Sequence, residues 1–497
     1  MRVVQPLPVE EILRQAKILH TRGEVPKAEQ AYLAVLSVQP DHLDALFNLG
    51  NLFAMVGHHE GAAHWFRKVL AVDPNHAGAL DAIGIMEDVL GHLESAEAFF
   101  RRAISIAGNN PMFHHNLGNC LRHQNRLDEA LAEFDSALAI DPDHRDSLLN
   151  KADIHALLGQ QGEAENLVFK ALQSHPDDPF TRWQYGIHRF RRGDYLEGWK
   201  YLDARLQVEP PPLPEGRQRP PLWDGRIIPG LRLVVRTEQG FGDVLQFIRC
   251  VRNLSQKGLD LDIELAPNHT PLSGLLQEQP WMPRIISNPM DIQDHEFSTR
   301  LMSLPRTLDW CDDDTIRTES QSPYLAPNPE LVRAWDTKVR GCSGKKVGVV
   351  WAGNPLSFTD AQRNLHFDCL IPLWEIPDVF WFSLQKDNRN PPWPSDLPAG
   401  RWLDRTSDLI DFHHTAGLIA NLDAVVTIDS AVAHLAGAMG KPVFLMLPLG
   451  AEWRWMLDRS DSPWYPHHRL FRQSKAGDWA GVIKDVKDSL GGFLKGL

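Results

Sequence analysis

Long apolar runs are missing from this chain: no stretch approaches the roughly 18 residues that a membrane-crossing helix requires. The first twenty residues, MRVVQPLPVEEILRQAKILH, carry charges throughout and have no apolar centre of the kind a secretory leader needs, so a cytoplasmic protein is expected. Cysteine is scarce and scattered. Cys120, Cys250, Cys311, Cys342 and Cys369 form no C-x-x-C pair, which argues against a disulfide framework and a thiolate metal site. The 22 histidines include adjacent pairs such as His58-His59, but none has the H-E-x-x-H spacing of a zinc helix. A basic excess is absent as well. With 51 Lys and Arg against 64 Asp and Glu, the net charge is −13, which argues against nucleic acid or an anionic membrane as the main partner.

What is present, first of all, is a period. Prolines recur at Pro40, Pro74, Pro142, Pro176 and Pro210, every interval being 34 or 68 residues. In the same frame small residues fall at Ala28, Ala62, Ala96, Ala130, Ala164 and Gly198, and bulky ones four later at Tyr32, Phe66, Phe100, Phe134, Val168 and Leu202. Glycines precede the small residues by twelve at Gly50, Gly84, Gly118 and Gly186. Two antiparallel helices can meet closely at the small positions while the bulky residue fills the gap to the next pair and proline ends the second helix. These residues resemble the tetratricopeptide repeat, in six units: 9–42, 43–76, 77–110, 111–144, 145–178 and 179–212. The third carries Gly108 where proline is expected, with Pro111 three residues on.

Arrays of this type line a concave groove with the first helix of each pair. Asn48, Asn116 and Asn150 share one repeat position, where Ala82 and Gln184 also fall. An amide offers one acceptor and two donors, matching a peptide unit whatever its sequence. The protein O-GlcNAc transferases hold their acceptor backbone with an asparagine ladder, and the three asparagines look like a partial version; as surface polar residues in N-L-G turns they would have no such role.

A proline-rich stretch, 213–230, follows and reads as a stiff linker against which Trp223 can dock. Beyond it the periodicity changes. Apolar runs Leu231 to Arg236, Leu261 to Ala266 and Arg284 to Ser287 read as strands, and Glu238-Gln239-Gly240-Phe241-Gly242-Asp243 is a glycine turn opening a helix. Val347 to Trp351, Val379 to Leu384, Ala424 to Ile428 and Val443 to Leu447 are further buried strands, with helices over Leu409 to Asn421 and Ala431 to Met439. Strands alternating with helices predict parallel sheets with a ligand at their carboxyl edge, here in two halves, 231–340 and 341–497.

The stretch Asp423 to Pro448 is the centre of this reading. A strand that stops at Asp429-Ser430 and turns into a helix leaves backbone N–H groups unpaired where the dipole favours an anion, and His434 lies one turn further on. Asp429 and Ser430 are expected to supply capping oxygens; in an ordinary strand-helix-strand unit Ser430 would be only a cap and His434 only packing. Cys311-Asp312-Asp313-Asp314 reads as a solvated charge run in a loop, and no metal is expected.

The motifs VVRTEQGFGDVLQF, VWAGNP with Arg363-Asn364, SLQK and TIDSAVAHLAGAMGKP, in that order over about residues 220 to 475, resemble the heptosyltransferase-like glycosyltransferases of the GT-B fold. The tail WRWMLDRSDSPWYPHHRLFRQ is similar to a subgroup that also carries tetratricopeptide repeats and includes flagellin glycosyltransferases. His414 departs from that subgroup, which more often has Asp before Thr-Ala. The resemblance implies a tetratricopeptide superhelix followed by two Rossmann-like halves, the first on the acceptor side and the second on the nucleotide-sugar side. It implies transfer of a sugar to Ser or Thr of an acceptor protein, flagellin in some members, with no metal and no resident cofactor. Asp243 matches the catalytic Asp. Asn354, Arg363, Lys386, Asp429, Ser430, Ala431 and His434 would bind the donor, and Asn48, Asn116 and Asn150 the acceptor peptide. A repeat scaffold with an inactive α/β half, or an enzyme acting on a glycan or lipid-linked acceptor, would fit the same domain order.

Overall fold

The computed structural model describes residues 8–208, 220–286, 292, 295–320, 323–353, 363–386 and 400–497. Its first half is helical throughout. The six expected pairs are α1 (Val9–Thr21) with α2 (Val25–Val38), α3 (Leu43–Met55) with α4 (His59–Val72), and α5 (Ala77–Val89) with α6 (Leu93–Ala107). They continue as α7 (Pro111–His123) with α8 (Leu127–Ile140), α9 (Arg145–Leu157) with α10 (Gln161–Ser174), and α11 (Pro179–Arg191) with α12 (Tyr195–Leu202). The short α13 (Arg205–Val208) follows.

Local chemistry accounts for each pair. The turn between the two helices needs a left-handed residue, and it recurs in register at Gly23, Gly57, Gly91, Asn125, Gly159 and Gly193, all with φ between 59° and 82°. That second 34-residue series was legible in the sequence but hidden among the other glycines. Some of the histidines have a role here too: Nδ1 of His58 and His76 accepts the first-turn N–H of Gly61 and Ala79 at 2.9 and 3.0 Å, capping their helices. Gly50, Gly84 and Gly118 pair with Phe66, Phe100 and Phe134, whose ring atoms lie 2.4 to 2.7 Å from where a Cβ would stand, so the ring occupies the space of the missing side chain.

The chain divides into two compact units, one reaching to Pro176 and the other taking Asp177 onward together with the Ala156–Gln161 turn. The sixth helix pair therefore belongs to the same unit as the sheets. An aromatic cluster joins it there: Phe190 of α11 stacks on Trp453 at 4.5 Å, and Trp199 of α12 donates its indole N–H to the Trp310 carbonyl at 2.7 Å.

Two all-parallel sheets build the rest of that unit. The first has strands β1 (Arg232–Arg236), β2 (Asp260–Glu264), β3 (Arg284–Ile286) and β4 (Phe297–Arg300) in the order β3-β2-β1-β4. The second has β5 (Lys345–Val350), β6 (Val379–Ser383), β7 (Trp402–Asp404), β8 (Ala424–Ile428), β9 (Val443–Leu447) and β10 (His468–Arg472) in the order β10-β9-β8-β5-β6-β7. Strands β8 and β9 are buried on both faces along their whole length, which is why they read as unbroken apolar runs. Sequence periodicity misses β4, β7 and β10, which are short or lie at sheet edges and carry charged or aromatic residues. Of the stretch 213–230, residues 220–230 are described; Trp223 is buried there, its backbone N–H donating to the Ser298 carbonyl at 2.9 Å and its indole N–H to the Arg226 carbonyl at 3.0 Å. The acidic run at 311–314 is not a loop: Asp312 caps the helix Asp313–Glu319 by accepting the Thr315 N–H at 2.7 Å.

The strand order fixes where a ligand can sit. The order in which successive strands are added reverses between β1 and β4 in the first sheet and between β5 and β8 in the second, and at such a switch point the connecting helices part and leave a crevice at the carboxyl edge.

Candidate functional site

Segments leaving β1, β4, β5 and β8 line one cavity of about 550 Å³. After β1 comes Thr237 to Gly240, then helix α14 (Phe241–Gln256). The turn is held by His269, whose two ring nitrogens contact Thr237 Oγ1 at 2.8 Å and the Gln239 carbonyl at 3.0 Å, while Gln239 itself takes a φ of 60°. Asp243 sits at the third position of α14 and accepts the Gly240 N–H at 2.9 Å, so it caps the start of the helix. Its other oxygen is ion-paired with Arg454.

Arg454 is the residue that sequence reading overlooked. It lies on the short Trp453–Trp455 turn, is almost wholly buried, and also meets Glu452 at 2.7 Å and the Gln246 side chain. Burial works against its charge, but Asp243 and Glu452 more than offset this and keep the guanidinium protonated. A second buried arginine, Arg205 of α13, meets Glu238 at 2.6 Å and Asp203 at 2.9 Å and ties the sixth repeat to the turn after β1. Arg363 borders the same cavity and favours the charged form of Asp429, whose carboxyl burial nevertheless pushes up from the ordinary range.

At the end of β8, Ser430 occupies the cap position of the helix Ala431–Ala438, but its side chain does not cap it: Oγ lies 3.0 Å from Thr427 Oγ1 instead. The sequence expectation of capping oxygens is corrected here, because a hydroxyl turned back to the strand leaves the first turn without a side-chain acceptor. His434 is buried one turn on. Its Nδ1 is 2.8 Å from Tyr465 Oη, its Nε2 is 3.9 Å from Asp429, and burial holds it well below the usual histidine range, so it is neutral. Gly242 lies against it, a Cβ there falling 2.7 Å from the ring.

A smaller, mainly apolar pocket of about 340 Å³ adjoins the cavity and shares Phe241, Gly353, Ser430 and Ala431 with it. Lys386 lines this pocket rather than the charged cavity, and its ammonium donates to the Ile410 carbonyl at 2.5 Å. The loop after β5 is fixed by amides: Gln385 accepts the Ala352 N–H at 3.0 Å and Asn364 that of Gly353 at 2.7 Å. Asn354 lies outside the described residues. His414 contacts Asp411 at 2.7 Å, and Asp411 borders the pocket. The structure thus brings Asp243, Arg363, Asp429, Ser430, Ala431 and His434 to one cavity and Lys386 to its neighbour.

The three asparagines are in the other unit, each already engaged. Asn48 donates to the Asp44 carbonyl at 2.7 Å, Asn116 to the Asp81 carboxylate at 2.9 and 3.1 Å, and Asn150 to Asn119 at 2.8 Å. Asp81 is buried, and its carboxyl is pushed up to about 6.

Comparison with known proteins fits this division. The tetratricopeptide repeat family matches residues 13–77 and 111–176. Over 503 aligned positions the chain is 24% identical to Protein FlbA of Caulobacter vibrioides, covering 95% of this chain and 82% of that one. Solved structures similar to part of the chain include MamA (21% identity, 32% of this chain and 94% of that one, TM-score 0.30) and PilF of Pseudomonas aeruginosa (17%, 41% and 90%, 0.35). YrrB, a TPR protein with an unusual peptide-binding site, is another (23%, 34% and 88%, 0.29). The chain is a tetratricopeptide superhelix followed by an α/β region of parallel sheets, with a FlbA-named relative over most of its length.

Proposed function

We propose that the protein is a glycosyltransferase that moves a sugar from a nucleotide-sugar donor to a Ser or Thr hydroxyl of an acceptor protein captured by the repeats. The observation that carries this reading is the junction at Ser430-Ala431, where a helix start joins an apolar pocket to a charged cavity. A nucleotide sugar has the same sequence of parts: a flat base, a phosphate and a polar sugar. The helix start and Arg363 offer N–H groups and charge to the phosphate, with Lys386 on the pocket side, and His434 contributes an uncharged ring. In this reading residues 231–340 form the acceptor side and 341–497 the nucleotide side, as in a GT-B enzyme, and Asn354 joins the donor contacts.

In the reaction the acceptor oxygen bonds to the anomeric carbon as the bond from that carbon to the phosphate oxygen breaks. The electron pair leaves on the phosphate, where cationic and N–H groups stabilise it, and the hydroxyl proton passes to a carboxylate. Asp243 is assigned that role. Each carboxylate oxygen accepts about two hydrogen bonds, so the Gly240 and Arg454 contacts leave room for the hydroxyl. A second assignment is Asp429, which borders the same cavity and whose carboxyl burial pushes up; in that case it takes the proton.

The test is a thermal-shift panel of UDP, GDP, ADP and CMP sugars, followed by intact-mass measurement of sugar added to a candidate acceptor, with flagellin the first to try. A stabilising donor and a matching mass increment are expected. No shift with any of them would favour a repeat scaffold without activity.

A further inference from the structure

The sixth repeat contributes apolar side chains to the charged cavity, beside Phe241, Met302 and Trp453 from other segments. Trp183 and Ile187 are four residues apart on α11, hence on one face of that helix, and both border the cavity. Neither borders the smaller pocket, which Lys386 and Thr415 line. Both are partly exposed in a cavity whose other side chains include Arg205, Asp243, Arg363, Asp429 and Arg454. An indole beside a β-branched aliphatic side chain offers a surface without hydrogen-bond partners, apart from the indole N–H. That suits an aliphatic side chain better than the hydroxyls of a sugar.

We infer that Trp183 and Ile187 form a specificity surface for the acceptor polypeptide, gripping an apolar residue immediately beside the Ser or Thr that is modified. The inference rests on the glycosyltransferase reading for its reaction but not for its binding step. The last repeat is thereby part of the reaction site, and the cavity chooses among hydroxyls by the side chain next to them.

The experiment uses the full chain and fluorescein-labelled Ala/Gly peptides with one central Ser, flanked by Leu or by Asp. Anisotropy is expected to give wild type at least a tenfold preference for the Leu peptide. Trp183→Ala should reduce this to below twofold by weakening Leu-peptide binding, and Ile187→Ala should do so in part. Trp183→Phe, which keeps an apolar ring, should retain most of it. Equal Leu-peptide affinity in wild type and Trp183→Ala, or no preference in wild type, overturns the inference. If the preference behaves as expected but no nucleotide sugar is bound or hydrolysed, the glycosyltransferase reading fails and the peptide surface stands.

Discussion

Arg454 clamps Asp243: the guanidinium takes one carboxylate oxygen, and the Gly240 N–H takes the other at 2.9 Å. A residue assigned as a base is therefore also a structural ion-pair partner, and the two roles make separable demands on substitution.

Asp243→Asn keeps size and helix capping but does not accept a proton at neutral pH. If Asp243 is the base, sugar transfer should fall by about 100-fold or more with donor affinity nearly unchanged. Intact-mass assays beside donor binding measure both. Near wild-type transfer, with Asp429→Asn inactive, would move the proton to Asp429.

Arg454→Met should cost stability even though it adds apolar surface, because the largely buried Asp243 carboxylate loses its cation. A loss of roughly 3 kcal/mol is expected from breaking a buried pair at one end. Urea unfolding of the variant decides it, and a midpoint equal to wild type would mean water already solvates this carboxylate.

His468 is buried against Trp455 and Tyr465, and burial pushes it down to about 3. Below the unfolded value of about 6.5 the unfolded chain binds a proton that the folded one does not, so stability falls as pH drops from about 6.5 towards 3. At pH 5 the loss from this one group is about 2 kcal/mol relative to pH 8. His468→Phe should remove that portion of the acid sensitivity. An unchanged difference between denaturation at pH 5 and at pH 8 would show that the ring is protonated in the folded protein.

The asparagines of the array make a paired prediction. The triple Asn48, Asn116, Asn150 to Ala variant should bind the acceptor protein more weakly by roughly 1 kcal/mol per lost bond, with donor hydrolysis unchanged. Asn116→Ala alone also strips a partner from Asp81, whose raised carboxyl ionises near pH 6. The cost to folding should therefore be small at pH 5, where Asp81 is protonated, and larger at pH 8. Calorimetric titration and melting curves at the two pH values separate the effects; full acceptor affinity in the triple variant would dispose of the ladder.

The sequence by itself determined the elements whose pattern is local. The six helix pairs were legible because each repeat solves the same packing problem with the same small, bulky and turn positions, and β8 and β9 because burial on both faces demands unbroken apolar runs. The turn after β1, and the turn into a helix at Asp429-Ser430, were legible from residue type alone. Tertiary structure decided which groups meet. Asp243 and Arg454 are 211 positions apart, and no periodicity ties one to the other; their pairing arises only when both are removed from water together. The same holds for the turned-away Ser430 hydroxyl, for the neutral His434 enclosed by burial, and for the sixth repeat, which matches its neighbours in frame yet packs with the sheets because Phe190 and Trp199 find aromatic partners there.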